Sequence, residues 1–224
     1  DKHNAYQTNQ ESQPIWSPDA FHGRPSLKFD GQNDFLNLSG AVLSKDEGTI
    51  IAIVNDSGGT QHREILSNWD GSAGNSVSSM FLGLTGKNTI RFSDSFPDAG
   101  KISHKNEPLI LIASNGPQGA FTHHNGRLQA SRKRLNPRTF GTAWVIGTQG
   151  NIKGEYWNGG IAELRVYDRA LSTRERQEVE NELSNRYQIS LNRDEAIEPD
   201  TPELLALASL CHVLFNSNEF LHID

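Results

Sequence analysis

Paired carboxylates are the first groups in this sequence that could do chemistry. Glycoside hydrolysis needs two carboxylates facing one cleft, and on a strand both face the same way only at alternating positions. No E-x-D-x-E or E-x-D-x-x-E pattern falls on a predicted strand, and the dense acidic cluster, residues 194–200, lies in a predicted linker. The motifs G-x-S-x-G and H-E-x-x-H and the phosphate-binding P-loop are also absent. The sequence therefore predicts no catalytic residues, and a chain that is not an enzyme.

A tryptophan in a predicted loop is the best candidate for binding a sugar. An aromatic ring offers a large apolar face to a ligand, and Trp69 lies in the loop sequence NWDG, beside the carboxylate of Asp70. Asn75 follows in the same loop, and Trp157 is a second, weaker candidate. We predict that Trp69, Asp70, Asn75 and Trp157 contact a ligand, and that removal of Trp69 abolishes binding to polysaccharide. The alternative for Trp69 is structural packing.

Histidine and cysteine give no soft-metal or haem site. His123 and His124 are adjacent on a predicted strand, where neighbouring side chains point to opposite faces, so they cannot chelate one ion together. We predict that both are exposed hairpin residues. The single cysteine, Cys211, cannot form an intramolecular disulfide, and it excludes cysteine-based zinc sites and attachment of a c-type haem.

The distribution of charge argues against nucleic acid as a partner. The 224 residues have a formal net charge of −6, from 21 Lys and Arg against 27 Asp and Glu. Residues 191–224 contain one base and seven acids, which leaves 20 bases and 20 acids in residues 1–190. The main body is therefore neutral and has no basic field to attract phosphates. A local basic run, residues 132–134, is interpreted as a solvated loop, with an anionic glycan or acidic segment as the alternative partner.

Short apolar runs separated by turn residues indicate an all-β fold. After an irregular lead-in over residues 1–25, about ten such runs follow, each too short for a helix. Asn125-Gly126 is the strongest signal for a two-residue hairpin. Strands at this spacing, with no helices between them, predict an antiparallel two-sheet sandwich. The runs are residues 27–29, 36–38, 49–54, 64–67, 80–84, 89–92, 109–113, 120–123, 143–148 and 161–167.

Two helices are predicted after the last strand. The first begins at a capping box, Ser172 with Glu175, and presents the narrow apolar stripe of Val179 and Leu183, as a surface helix does. An acidic linker, residues 191–200, precedes a second helix over residues 201–224 that is apolar on nearly every face. We expect this helix to pack into a neighbouring domain or chain. Its apolar run is shorter than the roughly 20 residues that span a bilayer, so no membrane span is predicted.

Three stretches together resemble the laminin G-like, concanavalin A-like jelly-roll family. They are PSLKFDGQNDFLNL (25–38), the hairpin HHNGRL (123–128) and YWNGGIAELRVYDRALSTRERQEVENELSNRYQI (156–189). The resemblance implies two stacked antiparallel sheets over residues 1–190, and a non-catalytic module within a larger extracytoplasmic protein. In this family an aromatic at position 157 packs the final strand, which is the alternative to ligand contact by Trp157. The tail ELLALASLCHVLFNSNEFLHID (203–224) resembles the C-terminus of large planctomycete proteins that contain cytochrome c-type domains.

Calcium is the cofactor that the resemblance implies, since many members of this class bind Ca²⁺ through loop oxygens. Asp30, Asp34 and Asp70 are the candidate ligands, because Ca²⁺ requires six to eight oxygens. The alternative is that Asp residues occupy turns by bonding their own backbone. Ala162 stands where many relatives have Asp, which removes one oxygen.

The sequence features above are compatible with three functions. The leading prediction is a non-catalytic module that binds carbohydrate, outside the cytoplasm. The second is a structural or protein-interaction domain without a glycan ligand. The third is a glycoside hydrolase or lyase, which would require two carboxylates about 5–10 Å apart in a groove.

Overall fold

Thirteen strands, one α-helix and one short 3-10 helix (Gln10–Ser12) make up the regular structure of the residues that the computed structural model describes. These are residues 4–69, 79–93, 100–102, 106–136, 140, 143–150 and 154–193. All of them except Arg193 belong to one compact unit, Asp1–Asn192. Most of the predicted linker and all of the predicted C-terminal helix, residues 194–224, lie outside the described residues.

The strands are short, as the alternation of apolar runs and turn residues predicts. The helix, α1 (Thr173–Tyr187), follows the last strand. In chain order the strands are β1 (Ala5–Tyr6), β2 (Ile15–Ser17), β3 (Ser26–Asp30), β4 (Leu36–Leu38), β5 (Gly48–Val54), β6 (Arg63–Ser67), β7 (Phe81–Leu84), β8 (Ile90–Phe92), β9 (Leu109–Gly116), β10 (Gly119–His124), β11 (Arg127–Arg132), β12 (Val145–Ile146) and β13 (Asn158–Tyr167).

Two antiparallel sheets form the predicted jelly-roll sandwich. The six-stranded sheet has the order β1-β4-β12-β6-β7-β8, and the seven-stranded sheet has the order β11-β10-β9-β5-β13-β3-β2. The predicted fold class is therefore confirmed. The prediction of an irregular lead-in is wrong in one respect, because β1 pairs with β4 and β2 pairs with β3. Such two- and three-residue edge strands are too short to leave a pattern in the sequence.

The central strands of the seven-stranded sheet, β5 and β9, are buried on both faces, which explains their continuous apolar runs. In β5, Ile50, Ala52 and Val54 pack into the core between the sheets. The alternate residues Ile51 and Ile53 pack on the other face against α1. Trp144 is fully buried between the sheets.

Helix α1 covers part of the outer face of the seven-stranded sheet. It begins at the predicted capping box, because Ser172 Oγ accepts from the Glu175 backbone N–H and the Glu175 carboxylate accepts from the Ser172 N–H. Leu183 and Tyr187 are buried against the sheet, and the half-buried Val179 packs beside them. The outer face of the six-stranded sheet carries no helix among the described residues.

The β10–β11 hairpin turns at Asn125-Gly126, as predicted. Both residues have positive φ, 47° and 84°, which a type I′ turn requires. The prediction that His123 and His124 are exposed is wrong, since each side chain is 7% exposed. His123 lines a groove together with Ser172, Thr173 and Arg176 at the start of α1, and β10 has no open edge because it lies between β9 and β11.

Candidate functional site

The predicted sugar-binding loop follows β6 in the six-stranded sheet. Trp69 is half-buried, and its backbone N–H donates to Ser67 Oγ. Its indole Nε1 is buried and makes no hydrogen bond to a described residue. Asp70 and Asn75 lie outside the described residues. The structure therefore places Trp69 at one end of the six-stranded sheet and leaves its role in ligand contact as a prediction.

Trp157 does not lie at a ligand-accessible surface. Its side chain is fully buried in the core between the sheets. The indole Nε1 donates to the carbonyl oxygen of Gly160 over 3.4 Å. The prediction that the Trp157 side chain contacts a ligand is therefore corrected, because this indole packs β13 against the core.

Asp30 and Asp34 use their carboxylates within their own turn. Asp30 Oδ1 accepts from the backbone N–H groups of Gln32, Asn33 and Asp34, and Asp34 Oδ2 accepts from the Asp30 N–H. Burial opposes the charged form of Asp30, but these backbone hydrogen bonds outweigh it and lower the pKa of its carboxyl. Burial and the charge of Asp30 raise the pKa of Asp34.

The two turn carboxylates are not part of a larger group of potential metal ligands among the described residues. Within the part of the chain that the structure describes, no group of three or more His, Cys, Asp or Glu side chains is placed to hold a metal ion. The third predicted ligand, Asp70, is outside that part. Calcium binding stays a prediction that depends on this residue.

A charged cluster on the outer face of the six-stranded sheet is the most distinctive polar feature of the described residues. Arg91, in β8, donates from Nη1 to Glu64 Oε1 over 2.5 Å and to Glu155 Oε2 over 2.7 Å. Its guanidinium lies 4.7 Å from the centre of the Phe81 ring, within cation–π distance. We call Glu64, Phe81, Arg91 and Glu155 the sheet-face cluster.

A glycine in the middle strand allows the cluster to form. Glu64 pairs with Gly83 across β6 and β7, and Gly83 pairs with Arg91 across β7 and β8. A Cβ atom at Gly83 would lie only 2.3 Å from Glu64 Oε2. Because Gly83 has no side chain, the carboxylate of Glu64 can lie across β7 and reach Arg91.

Glu155, the second acidic residue of the sheet-face cluster, has an unusual backbone conformation. Glu155 is not a glycine but has φ of 49°, in the left-handed region that costs free energy for such residues. Its carbonyl oxygen accepts from the Glu64 backbone N–H over 2.8 Å. This hydrogen bond attaches the segment before β13 to β6 and brings the carboxylate of Glu155 to Arg91.

The three charged residues of the cluster differ in how far they are buried. The Glu64 side chain is 1% exposed, whereas the side chains of Arg91 and Glu155 are 15% and 21% exposed. Glu64 therefore holds Arg91 from below, while Arg91 and Glu155 retain surface for a ligand. The cluster pairs one cation with two anions, which leaves one net negative charge.

An imidazole group borders the cluster. His62 precedes β6 and is exposed. Partial desolvation and the positive charge of Arg91 lower the pKa of His62. Hydrogen-bond donors and acceptors are thus available together around Arg91 and Glu155.

The sheet-face cluster was missed by the sequence analysis, although one signal pointed to it. Arg91 lies between Ile90 and Phe92 in a strand of three residues, and Glu64 lies in a run that otherwise becomes apolar. A charge at the centre of a short strand needs a partner or water on its face of the sheet. The partners themselves are 27 and 64 residues away along the chain, so only the register identifies them.

Comparison with known proteins identifies similar folds. No family model matches the sequence, and no curated protein matches it. Domain 4 of AbnA, a GH43 extracellular arabinanase from Geobacillus stearothermophilus solved with arabinotriose, matches at 16% identity and a TM-score of 0.55 over 80% of this chain and 86% of that chain. A SAP-like pentraxin from Limulus polyphemus matches at 13% identity and a TM-score of 0.52, over 67% of this chain and 78% of that one.

A third similar structure is the CBM40 of the Ruminococcus gnavus IT-sialidase, bound to α2,3-sialyllactose. It matches at 17% identity and a TM-score of 0.50, over 62% of this chain and 84% of that chain. At these identities the likenesses show the fold, which is the concanavalin A-like jelly roll that the sequence resemblance implied. No helix in the described part of the chain is long and apolar enough to cross a membrane.

Proposed function

We propose that this chain is a non-catalytic carbohydrate-binding module, and that the sheet-face cluster is its ligand site. The observation that carries the proposal is the guanidinium of Arg91 held between two carboxylates beside an aromatic ring. Glu155 can accept hydrogen bonds from sugar hydroxyls and Arg91 can donate them. Because buried Glu64 already fixes Arg91, little side-chain entropy is lost when a ligand binds.

A neutral sugar fits the cluster better than an acidic one. The net negative charge of Glu64, Arg91 and Glu155 repels a carboxylate on the ligand, and partial burial strengthens this repulsion. Similar solved structures support the class of ligand, since the arabinanase domain is described with arabinotriose and the CBM40 with sialyllactose. The arabinanase is described as extracellular, which supports the proposal that this chain acts outside the cytoplasm.

A glycan screen with and without Ca²⁺ tests the proposed function. We expect retention of neutral polysaccharides such as arabinan or galactan and little retention of polygalacturonan. Glu155→Gln should weaken binding about tenfold or more, since a hydrogen bond to a charged group contributes about 1.5–3 kcal/mol. Glu178→Gln, on the exposed surface of α1, is the matched control. Equal binding by both variants would contradict the assignment of the site.

The glycoside hydrolase alternative requires two carboxylates close together, and this site meets that one condition. Glu64 and Glu155 both contact the same nitrogen of Arg91, so their carboxylates are close, as in a retaining glycosidase. Both carboxylates, however, are ion-paired with Arg91, and the Glu64 side chain is only 1% exposed, so a substrate has little access to it. We therefore propose binding without turnover. Release of reducing ends from a bound polysaccharide, lost in Glu155→Gln, would establish the enzyme instead.

The protein-interaction alternative is favoured by an exposed apolar edge. Ile15 and Trp16, in the edge strand β2, are 69% and 63% exposed. Trp16 borders a cleft of about 270 Å³ lined by Leu27, Phe29 and Leu164, among others. A domain that docks a neighbour at this edge would lose that contact in Trp16→Ser and would keep glycan binding unchanged. Size-exclusion chromatography of the full chain and its Trp16→Ser variant distinguishes the two functions.

A further inference from the structure

A second concave site lies on the opposite side of the sandwich from the sheet-face cluster. It is a groove of about 640 Å³ between the N-terminal turns of α1 and strands β9, β10 and β11. Phe121 and His123 alternate on β10 and therefore face the same side, and Leu128 pairs with His123 across β10 and β11. The rim carries Ser114, Ser172 and Thr173, together with the carboxylates of Glu47 and Glu175.

The floor of the groove is apolar and partly open. The Leu128 side chain is 48% exposed, an unusual state for a leucine in a strand. Phe121 is half-buried beside it. Helix α1 packs through Leu183 and Tyr187 onto β5 and β9, so the helix leaves β10 and β11 open. A ring-sized apolar surface is therefore available, in a volume typical of small-molecule sites, about 300–1,000 Å³.

A buried histidine lies in this floor without a hydrogen bond. His123 is 7% exposed, lines the groove, and its Nδ1 finds no partner among the described residues. Burial and the charge of Arg176 lower the pKa of His123 to about 3, so the imidazole is neutral at neutral pH. A neutral imidazole both donates and accepts. Most buried polar groups have a partner in the protein, in water or in a ligand, so this ring requires one.

The charged groups that face the groove are already paired. Arg176 forms a 2.7 Å ion pair with buried Glu180. Glu175 accepts from Arg169 over 2.7 Å and from the Ser172 N–H. Glu47 lies 3.8 Å from Arg134. No cation in the described lining is left to bind an anion, and two carboxylates on the rim repel one.

We propose that this groove binds an uncharged ring that carries hydroxyl groups, with its apolar face on Phe121 and Leu128 and a hydroxyl on the His123 imidazole. A phenolic ring and a neutral sugar ring share this chemistry. The site does not depend on the sheet-face cluster, so it is independent of the proposed function.

Side-chain NMR of the full chain tests the groove with three probes. Phenol and methyl β-galactoside are titrated separately, and benzoate serves as the charged analogue. We expect saturable shifts of the Leu128 methyl and His123 ring signals with at least one of the two neutral probes, and weaker shifts with benzoate. The neutral probe whose binding saturates shows whether the groove prefers a phenolic ring or a sugar ring. Absence of saturable shifts with both neutral probes overturns the proposal, as does tighter binding of benzoate.

Two groove variants and one control separate binding from folding. Leu128→Asp places a carboxylate on an exposed position and should weaken binding of the neutral probe about tenfold without unfolding the sandwich. His123→Leu keeps the volume but removes the hydrogen bond and should also weaken binding. Glu178→Gln, on the exposed surface of α1 away from the groove lining, should leave probe binding unchanged. Unchanged probe binding in both groove variants overturns the proposal.

Discussion

At the scale of single residues, the candidate site depends on a position that has no side chain. Gly83 lies between Glu64 and Arg91 in adjacent strands, and the ion pair passes over it. A Cβ at Gly83 would also lie 2.3 Å from the carbonyl oxygen of Arg63. The backbone of β6 and the carboxylate of Glu64 both restrict this position to glycine.

Gly83→Ala should lower both stability and glycan binding. We expect a loss of about 1–3 kcal/mol in the free energy of unfolding, the usual cost of overpacking, because β6 and Glu64 must both move. Urea denaturation followed by circular dichroism measures it. Gly59→Ala is the matched control, since a Cβ there meets no atom closer than 3.8 Å. A Gly83→Ala variant as stable as this control would contradict the described packing.

A second residue-scale feature is the fully paired Arg63. Its guanidinium forms a bidentate ion pair with Asp56 over 2.7 and 2.6 Å, and it also donates to Asn88 Oδ1 over 2.5 Å and to the carbonyl oxygen of Thr85. The Arg63 and Asp56 side chains are 2% and 6% exposed. This ion pair connects the segment after β5 to the start of β6.

Arg63→Met should destabilise the domain by about 3–5 kcal/mol, because it leaves the buried carboxylate of Asp56 without its partner. Arg174→Met removes a surface pair with Glu178, both highly exposed, and should cost less than about 1 kcal/mol. Thermal denaturation of the two variants measures the difference. If both variants have the same melting temperature, the Asp56–Arg63 pair does not have the structural role described.

At the scale of elements, α1 is fixed to the sheet by its first turn as well as by its apolar stripe. Glu175 accepts from the Ser172 N–H and from both terminal nitrogens of Arg169. The same turn borders the groove. A change in this cap therefore alters the wall of the groove as well as the stability of the helix.

Ser172→Ala should cost about 1 kcal/mol, the usual value for loss of an N-cap. Ser172→Asp keeps an acceptor for the Glu175 N–H and should retain most of the stability. Hydrogen exchange of the first-turn amides of α1 reports the local effect. Equal protection in the alanine and aspartate variants would show that the cap does not limit opening of this helix.

An element can be predicted from the sequence when its own local residues stabilise it. Strands such as β5 and β9 are buried on both faces, so their composition alone identifies them, and α1 has its cap and apolar stripe in one local segment. Strands β1 and β2 form through pairing with distant residues and have no pattern of their own. For the same reason the burial of His123 escaped prediction, since the residues that lie beside it at the start of α1 are distant in sequence.

At the scale of the whole molecule, the candidate site was the least predictable part. Trp69 was identified from its neighbours, whereas Glu64, Arg91 and Glu155 meet only once the register of three strands is known. Residue types give the chemistry of a site, but long-range pairing gives its geometry. The neutral main body predicts a domain without a basic surface.

The domain should lose stability in acid in two steps. His123 has a folded pKa of about 3, below its ordinary 6.5, so the unfolded chain takes up a proton first and stability falls as the pH drops from 6.5 towards 3. Hydrogen bonds from Arg169 and then from Ser172 lower the pKa of Glu175 to about 2, which adds a further loss below about pH 4.5.

Melting temperatures measured between pH 7 and 3 check this order. His123→Leu should flatten the curve between pH 6.5 and 4.5 and leave the lower step in place. Glu175→Gln should do the reverse. The charged groups that face His123 are Arg176, its partner Glu180, and the rim carboxylates of Glu47 and Glu175. An unchanged upper slope in His123→Leu would contradict the buried, neutral imidazole.

The position of β13 in the seven-stranded sheet determines when the sandwich can close during synthesis on the ribosome. This strand pairs with β3 on one side and β5 on the other, yet it is the last strand among the described residues. Synthesis proceeds from the N-terminus at about 5–20 residues per second. A nascent chain that ends at Glu155 already contains every member of the sheet-face cluster but lacks the strand that joins β3 to β5. Translation must therefore be almost through the sandwich before the nascent polypeptide can close it.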